Sequence, residues 1–220
     1  MPRSFIDHLV VTAPSLEAGA AYVRSALGVA PQGGGEHARM GTHNLLLRLG
    51  DALYLEVIAA NPNPSIPAPM RPRWFALDTL DSDAAAALTS WVVRTPDIQA
   101  SAAACTERLG AIEPMSRGAL NWRITIPADG RPPLDGLAPA LIEWQTDGHP
   151  AARLEDHGLS LLRLELFHAE PQRVSRLLSS LELEGPIAVS LLPAGRATYL
   201  VAHIDTPQGL RLLSVHHAVN

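Results

Sequence analysis

The chain repeats itself, and that repeat limits its possible folds more than any other feature of its 220 residues. At an offset of 82, Val10-Val11-Thr12-Ala13-Pro14-Ser15-Leu16 lines up with Val92-Val93-Arg94-Thr95-Pro96-Asp97-Ile98. The Ala-rich stretches that follow end in Leu27-Gly28 and Leu109-Gly110. Each copy starts as a short apolar strand and halts at a proline that cannot donate to a ladder. It then opens a helix at Ser15 or Asp97, whose side-chain oxygens suit the first free N–H groups. Gly28 and Gly110 are expected to end the helices in the left-handed conformation. Self-similarity at such a period means a supersecondary unit that buries its apolar face on a neighbouring copy.

Strand-like runs complete each unit. Asn44 to Ala59 holds two of them around a tight turn at Gly50-Asp51, and the second unit has Asn121 to Ile126 and Ala138 to Gln145. The first strand after each helix is placed near Val29 to Gln32 and Ala111 to Met115. The order is β-α-β-β-β, twice, which makes the chain α+β. Asn61 to Arg73, with prolines at 62, 64, 67, 69 and 72, reads as an extended connector. Thr79 to Leu88 reads as a short Ala-rich helix.

A more degraded third copy follows at an offset of 157, where Leu166-Phe167 match Leu9-Val10, Pro171 matches Pro14 and Gly185 matches Gly28. Between the last two lies an amphipathic stretch, Gln172 to Leu183. Strand-like segments then recur at Ile187 to Leu192, Thr198 to Ile204 and Leu210 to Val215. The expected organisation is a first module over 1–60, a connector over 61–87, a second module over 88–150 and a degenerate third module over 151–220. Residues 1–150 would form one domain.

Composition narrows the partners. A formal charge of −5 offers no basic surface to neutralise a phosphate backbone, so nucleic acid is not an expected partner. The single cysteine, Cys105, excludes an internal disulfide and a cysteine-based metal cluster. Asp7 and His8 interrupt the apolar run of Met1 to Val11, which therefore lacks the core of a signal peptide. No stretch approaches the roughly 20 apolar residues that span a bilayer. A cytoplasmic protein is expected, acting on a small molecule.

Three polar residues stand out because they sit in apolar strands. A buried imidazole at His8, or a carboxylate at Glu56 or Glu143, needs a cation, a hydrogen-bond partner or a shifted pKa. Asn121 and Arg123 alternate with Trp122 and Ile124, so one of these pairs faces the interior, and Asn121 with Arg123 would grip a substrate carboxylate there. Gly33-Gly34-Gly35 lacks the strand-loop-helix context and lysine of a phosphate loop and reads as a surface loop. His216-His217 read as a tail.

Phe5-Ile6-Asp7-His8-Leu9-Val10-Val11, Gly41-Thr42-His43-Asn44, Leu53-Tyr54-Leu55-Glu56-Val57-Ile58 and Leu141-Ile142-Glu143-Trp144 before His149-Pro150 together resemble the glyoxalase-like proteins of the vicinal-oxygen-chelate superfamily. The resemblance runs from Phe5 to about Pro150. It implies that two βαβββ modules pair into a curved, incomplete eight-stranded barrel around a cleft. It also implies a divalent metal, Zn, Mn, Fe or Ni, on ligands carried over to His8, Glu56, Ser90 and Glu143. Ser90 departs from that pattern, and His43 is the candidate replacement. If Gly50-Asp51 is a two-residue turn, Leu45 pairs with Glu56 and His43 shares its face. The expected metal set is therefore His8, Glu56, Glu143 and His43, with Glu56 or Glu143 also moving a proton. The implied function is a metal-dependent lyase, isomerase or dioxygenase acting on a small oxygenated or α-keto substrate. The alternative is a non-catalytic binding or sequestering protein of the bleomycin-resistance type. The third module's open sheet face would be covered by the barrel or by a second copy in a homodimer.

Overall fold

The computed structural model describes residues 3–67 and 71–215. The apolar run at the start becomes β1 (Ser4–Thr12), nearly all of it buried because both faces of the strand are covered. Pro14 ends it. Ser15 caps α1 (Leu16–Leu27) by accepting from the Ala18 N–H, and Gly28 closes that helix at φ 79°. The module is completed by β2 (Gln32–His37), β3 (Thr42–Arg48) and β4 (Tyr54–Ala60).

The second copy runs through β5 (Ala87–Arg94), α2 (Ile98–Ala104), β6 (Ala111–Arg117), β7 (Leu120–Ile126) and β8 (Ala140–Trp144). Asp97 caps α2 by accepting from the Ala100 N–H, as Ser15 does in α1. Two expectations for this half change. The helix ends at Ala104 rather than Gly110. Gly110, at φ 99°, instead lies so close to the Ile126 backbone that a Cβ would come within 2.2 Å of it. Thr79 to Leu88 is not a helix beyond one turn at Leu77–Thr79, because Ala87 and Leu88 pair with Thr12 and Val11 in the ladder.

One curled sheet holds both copies in the order β2-β3-β4-β1-β5-β8-β7-β6. The two first strands, β1 and β5, run antiparallel at its centre, and each lies parallel to the last strand of its own copy. Edge strands β2 and β6 approach one another without forming a ladder. Arg39 bridges the gap, donating to the Pro114 carbonyl at 2.6 Å and to Glu113. This is the incomplete barrel that the resemblance implies.

The remaining chain forms β9 (Ser160–His168), α3 (Pro171–Ser180), β10 (Leu183–Glu184), β11 (Ile187–Leu191), β12 (Tyr199–Asp205) and β13 (Arg211–Ser214). The order of elements repeats; the pairing does not. Here β11 lies parallel beside β9 and β12 lies antiparallel on its other side, giving β11-β9-β12-β13, while β10 adds to β1. Leu164, Leu166, Val174, Leu177 and Leu200 share one apolar core with Leu9, Val11, Trp91 and Val93 of the barrel. The C-terminal sheet thus closes the convex side of the barrel. The concave side has its own core, built on Val10, Ile58, Val92, Ile124 and Ile142. Among the described residues no helix is long and apolar enough to cross a membrane.

Candidate active site

A narrow pocket opens inside the barrel. His8, Glu56, Asn44, His37 and Arg117 supply its polar groups, and Trp74, Phe75, Trp122 and Trp144 its aromatic walls. Strand alternation fixes which residues face it. On β1 these are His8 and Val10, on β4 Tyr54, Glu56 and Ile58, and on β8 Ile142 and Trp144.

Asp7 and His8 are adjacent, so a regular strand would send them to opposite faces. A β-bulge between Ile6 and His8 breaks the register with β5 and lets them bond, Nδ1 of His8 to Oδ1 of Asp7 at 2.7 Å. Asp7 is fully buried and also accepts from Trp144 Nε1 at 2.8 Å and His149 Nε2 at 3.0 Å. Burial alone would push this carboxyl up. The hydrogen bonds from His149 and His8, and their charge, outweigh it and hold Asp7 well below the usual carboxylate range. An ionised Asp7 only accepts, so Nδ1 of His8 carries a proton toward it and Nε2 faces the cavity. His149 is fixed likewise, because its Nδ1 accepts from the Ala151 N–H.

Nε2 of His8 lies 3.6 Å from Oε2 of Glu56, and the His8 ring stacks on Tyr54 at 4.5 Å between centroids. Burial, with the charges of Asp7 and Glu56, raises the Tyr54 hydroxyl well above its ordinary range, so it stays protonated. Asn44 Nδ2 donates to the other Glu56 oxygen at 2.5 Å. Asn44 Oδ1 accepts from the Gly35 N–H at 2.8 Å and from Arg117 Nη1 at 2.9 Å. Arg117 Nη1 also donates to His37 Nε2 at 3.2 Å, while His37 Nδ1 and Trp74 Nε1 both donate to Thr42 Oγ1 at 3.2 Å. Burial lowers His37 to about 4, opposed by Glu56 and assisted by Arg117, so this ring is neutral.

The structure brings together only two of the expected metal ligands, His8 and Glu56. His43 lies on the outer face of β3, opposite Ala59. The loop between β3 and β4 has three residues rather than two, since Leu49 N–H bonds the Leu53 carbonyl, and the register moves by one. Leu46 therefore pairs with Glu56, and Asn44 takes the inward position assigned to His43. Glu143 faces outward from β8, accepting from Arg123 at 2.6 Å and from the Ile98 N–H at 2.9 Å. Arg123 and Asn121 lie away from the cavity for the same reason, with Trp122 taking the inward place between them. Ser90 does face the interior of β5, where its buried hydroxyl has no partner. His216-His217 lie outside the described residues.

Asp7, His37, Arg117, Trp144 and His149 were not among the expected site residues. Only the first carried a sequence signal: two adjacent polar residues inside a doubly buried strand require a bulge or a partner on each face. Gly33-Gly34-Gly35 is part of β2 rather than a loop. A Cβ on Gly34 would lie 2.1 Å from Asn44 Oδ1, and one on Gly35 would lie 2.9 Å from Arg117 Cδ. The glycines make room for both side chains.

A family model described as a glyoxalase-like domain matches residues 6–182. The chain belongs to the glyoxalase-like domain family. Two solved structures agree on the fold. A hypothetical protein from Staphylococcus aureus superposes with a TM-score of 0.60 at 14% identity, covering 89% of this chain and 87% of that one. A mutant of 4-hydroxymandelate synthase from Streptomyces coelicolor gives 0.50 at 15% identity, covering 97% and 63%. A methylmalonyl-CoA epimerase from Streptomyces coelicolor, in complex with 2-nitronate-propionyl-CoA, gives 0.43 at 20% identity, covering 64% and 97%. A search of curated proteins gave no match.

The superfamily's metal can be tested against the donors of this glyoxalase-like chain. His8 Nε2 and Glu56 Oε2 point into shared space. A third donor, His37 Nε2, is 4.0 Å from Glu56 Oε1, but its lone pair already accepts from the Arg117 guanidinium. The positions on β5 and β8 are Ser90 and the outward Glu143. Among the described residues no group of three or more His, Cys, Asp or Glu is arranged to hold a metal. Two donors beside a fixed guanidinium cation do not make a divalent-metal site.

Proposed function

We propose that the protein is an acid–base enzyme, an isomerase or lyase that moves a proton on a small oxygenated or α-keto substrate bound beside His8 and Glu56. The observation that carries this reading is the buried Asp7–His8 pair, which aims Nε2 of His8 into the barrel pocket 3.6 Å from a carboxylate. A base held by a buried acceptor, next to a second proton carrier, is the minimal machinery for enolisation. The C–H bond next to a carbonyl breaks and its proton goes to His8 Nε2. The electron pair moves to the carbonyl oxygen, and the His8 imidazolium returns the proton to carbon. Asp7 stabilises the imidazolium that forms, and the four aromatic walls exclude water.

Solvent deuterium exchange tests this directly. A panel of small α-keto and α-hydroxy acids in D₂O is followed by proton NMR with wild type, His8→Gln and Glu56→Gln. Exchange at the α or β carbon by wild type is expected, with a fall of about 10²-fold or more in His8→Gln. No exchange on any member of the panel refutes the enzyme reading. The aromatic lining favours one second reading, a binding protein of the same fold, and saturable binding without exchange would establish it.

A further inference from the structure

We infer that Arg117 stands where relatives of this fold would use a metal ion: its guanidinium binds the paired oxygens of a small oxo-acid, and the site works without a metal. This inference rests on the proton-transfer reading above and adds to it the cation and the class of ligand.

Arg117 is the last residue of β6, an edge strand. Its side chain crosses the gap to β2 and β3 of the other module and reaches the cavity that His8 and Glu56 line. All its described hydrogen bonds come from Nη1 and go to neutral groups, Asn44 Oδ1 and His37 Nε2. Nη2 and Nε make none among the described residues. Among the described residues no carboxylate lies within 4.0 Å of it, whereas Arg39, Arg71, Arg73, Arg123 and Arg173 are each paired with one. A half-buried permanent cation that lines an aromatic cavity with no carboxylate paired directly to it, and with donors left over, is a binding site for an anion. The guanidinium fork matches two adjacent oxygens, the same feature a divalent metal would chelate.

The surroundings fix its placement. Gly35 leaves no Cβ in the path of Arg117 Cδ, and Asn44 ties the guanidinium to Glu56 through its amide, so cation and base are set by one hydrogen-bonded chain. In the proton-transfer step the negative charge gathers on the oxygen that Arg117 holds.

Oxalate, a planar dianion with adjacent oxygens, and pyruvate are the probes. Untagged protein dialysed against chelator is titrated calorimetrically with each, with and without EDTA, and separately with Zn²⁺ and Mn²⁺. Oxalate is expected to bind equally well with EDTA present, and binding should weaken about ten- to a hundredfold in Arg117→Gln and less in Arg117→Lys. Oxalate should also shift the Arg117 Nε–H NMR signal of the wild type, a readout that needs no variant to fold. The inference is overturned by stoichiometric Zn²⁺ or Mn²⁺ binding that His8→Gln abolishes, by oxalate binding that EDTA removes, or by unchanged affinity in a folded Arg117→Gln. It is also overturned if neither oxalate nor pyruvate binds at about 10 mM. These outcomes are read from binding alone. Deuterium exchange that fails while oxalate binds would sink the enzyme reading and leave the anion site standing.

Discussion

His37 should make the protein less stable in mild acid, by an amount the structure sets. Its ring is buried, Nε2 accepts from Arg117 and Nδ1 donates to Thr42, so protonation would put a second cation against the guanidinium. Its folded pKa is therefore lowered from 6.5 to about 4. The unfolded chain binds this proton first as pH falls, so folding loses stability from about pH 6.5 downward, until the folded form also protonates near 4. At about 1.4 kcal/mol per pH unit, the full loss is about 3 kcal/mol. His43 is shifted the same way by burial, so the comparison is made in a His43→Gln background. Asp7 contributes in the same direction only below its unfolded value near 3.8, outside this window. Urea denaturation at pH 7.5, 6.5, 5.5 and 4.5 measures the slope in His43→Gln and in His43→Gln/His37→Gln, where glutamine keeps an acceptor for Arg117. The double variant should be flatter by about 2–3 kcal/mol across the range. Parallel profiles would show that His37 is not held neutral by this environment.

Three further perturbations have defined outcomes. Asp7→Asn turns an NH₂ toward one of three buried donors and should cost about 3–5 kcal/mol in urea denaturation, and a loss below about 1 kcal/mol would contradict the assigned donors. Gly34→Ala forces a Cβ to within 2.1 Å of Asn44 Oδ1. It should lower stability by about 1–3 kcal/mol and weaken oxalate binding with it, and a variant as stable and as tight as wild type would show that β2 yields. Ser90→Ala removes a buried hydroxyl with no partner, so stability should hold or rise by up to about 1 kcal/mol. A clear loss in thermal unfolding would reveal a partner.

Much of the barrel was legible because its signals are local. Period-2 apolar runs, a proline stop, a capping Ser15 or Asp97 and a terminal glycine each act within a few residues, and their recurrence 82 positions later fixed two equivalent modules. The third segment shows where that logic stops. Its elements follow the same order, but pairing depends on which edge each strand meets, and β11 found β9. The site was less legible for a related reason. Facing is decided by register, and one extra residue in the turn at Gly50–Ala52 exchanged His43 for Asn44, while β8 turned Glu143 outward and Trp144 inward.

The sequence by itself determined the repeated βαβββ plan, the family and the pair His8 and Glu56, because strand periodicity and buried polar residues leave their mark within single segments. Only the tertiary structure decided that Asp7 orients His8 through a bulge, and that Arg117 reaches across an open barrel edge to stand beside them. The Arg117–Asn44 and His149–Asp7 contacts that hold this arrangement join residues 73 and 142 positions apart, and no local pattern constrains distances of that kind.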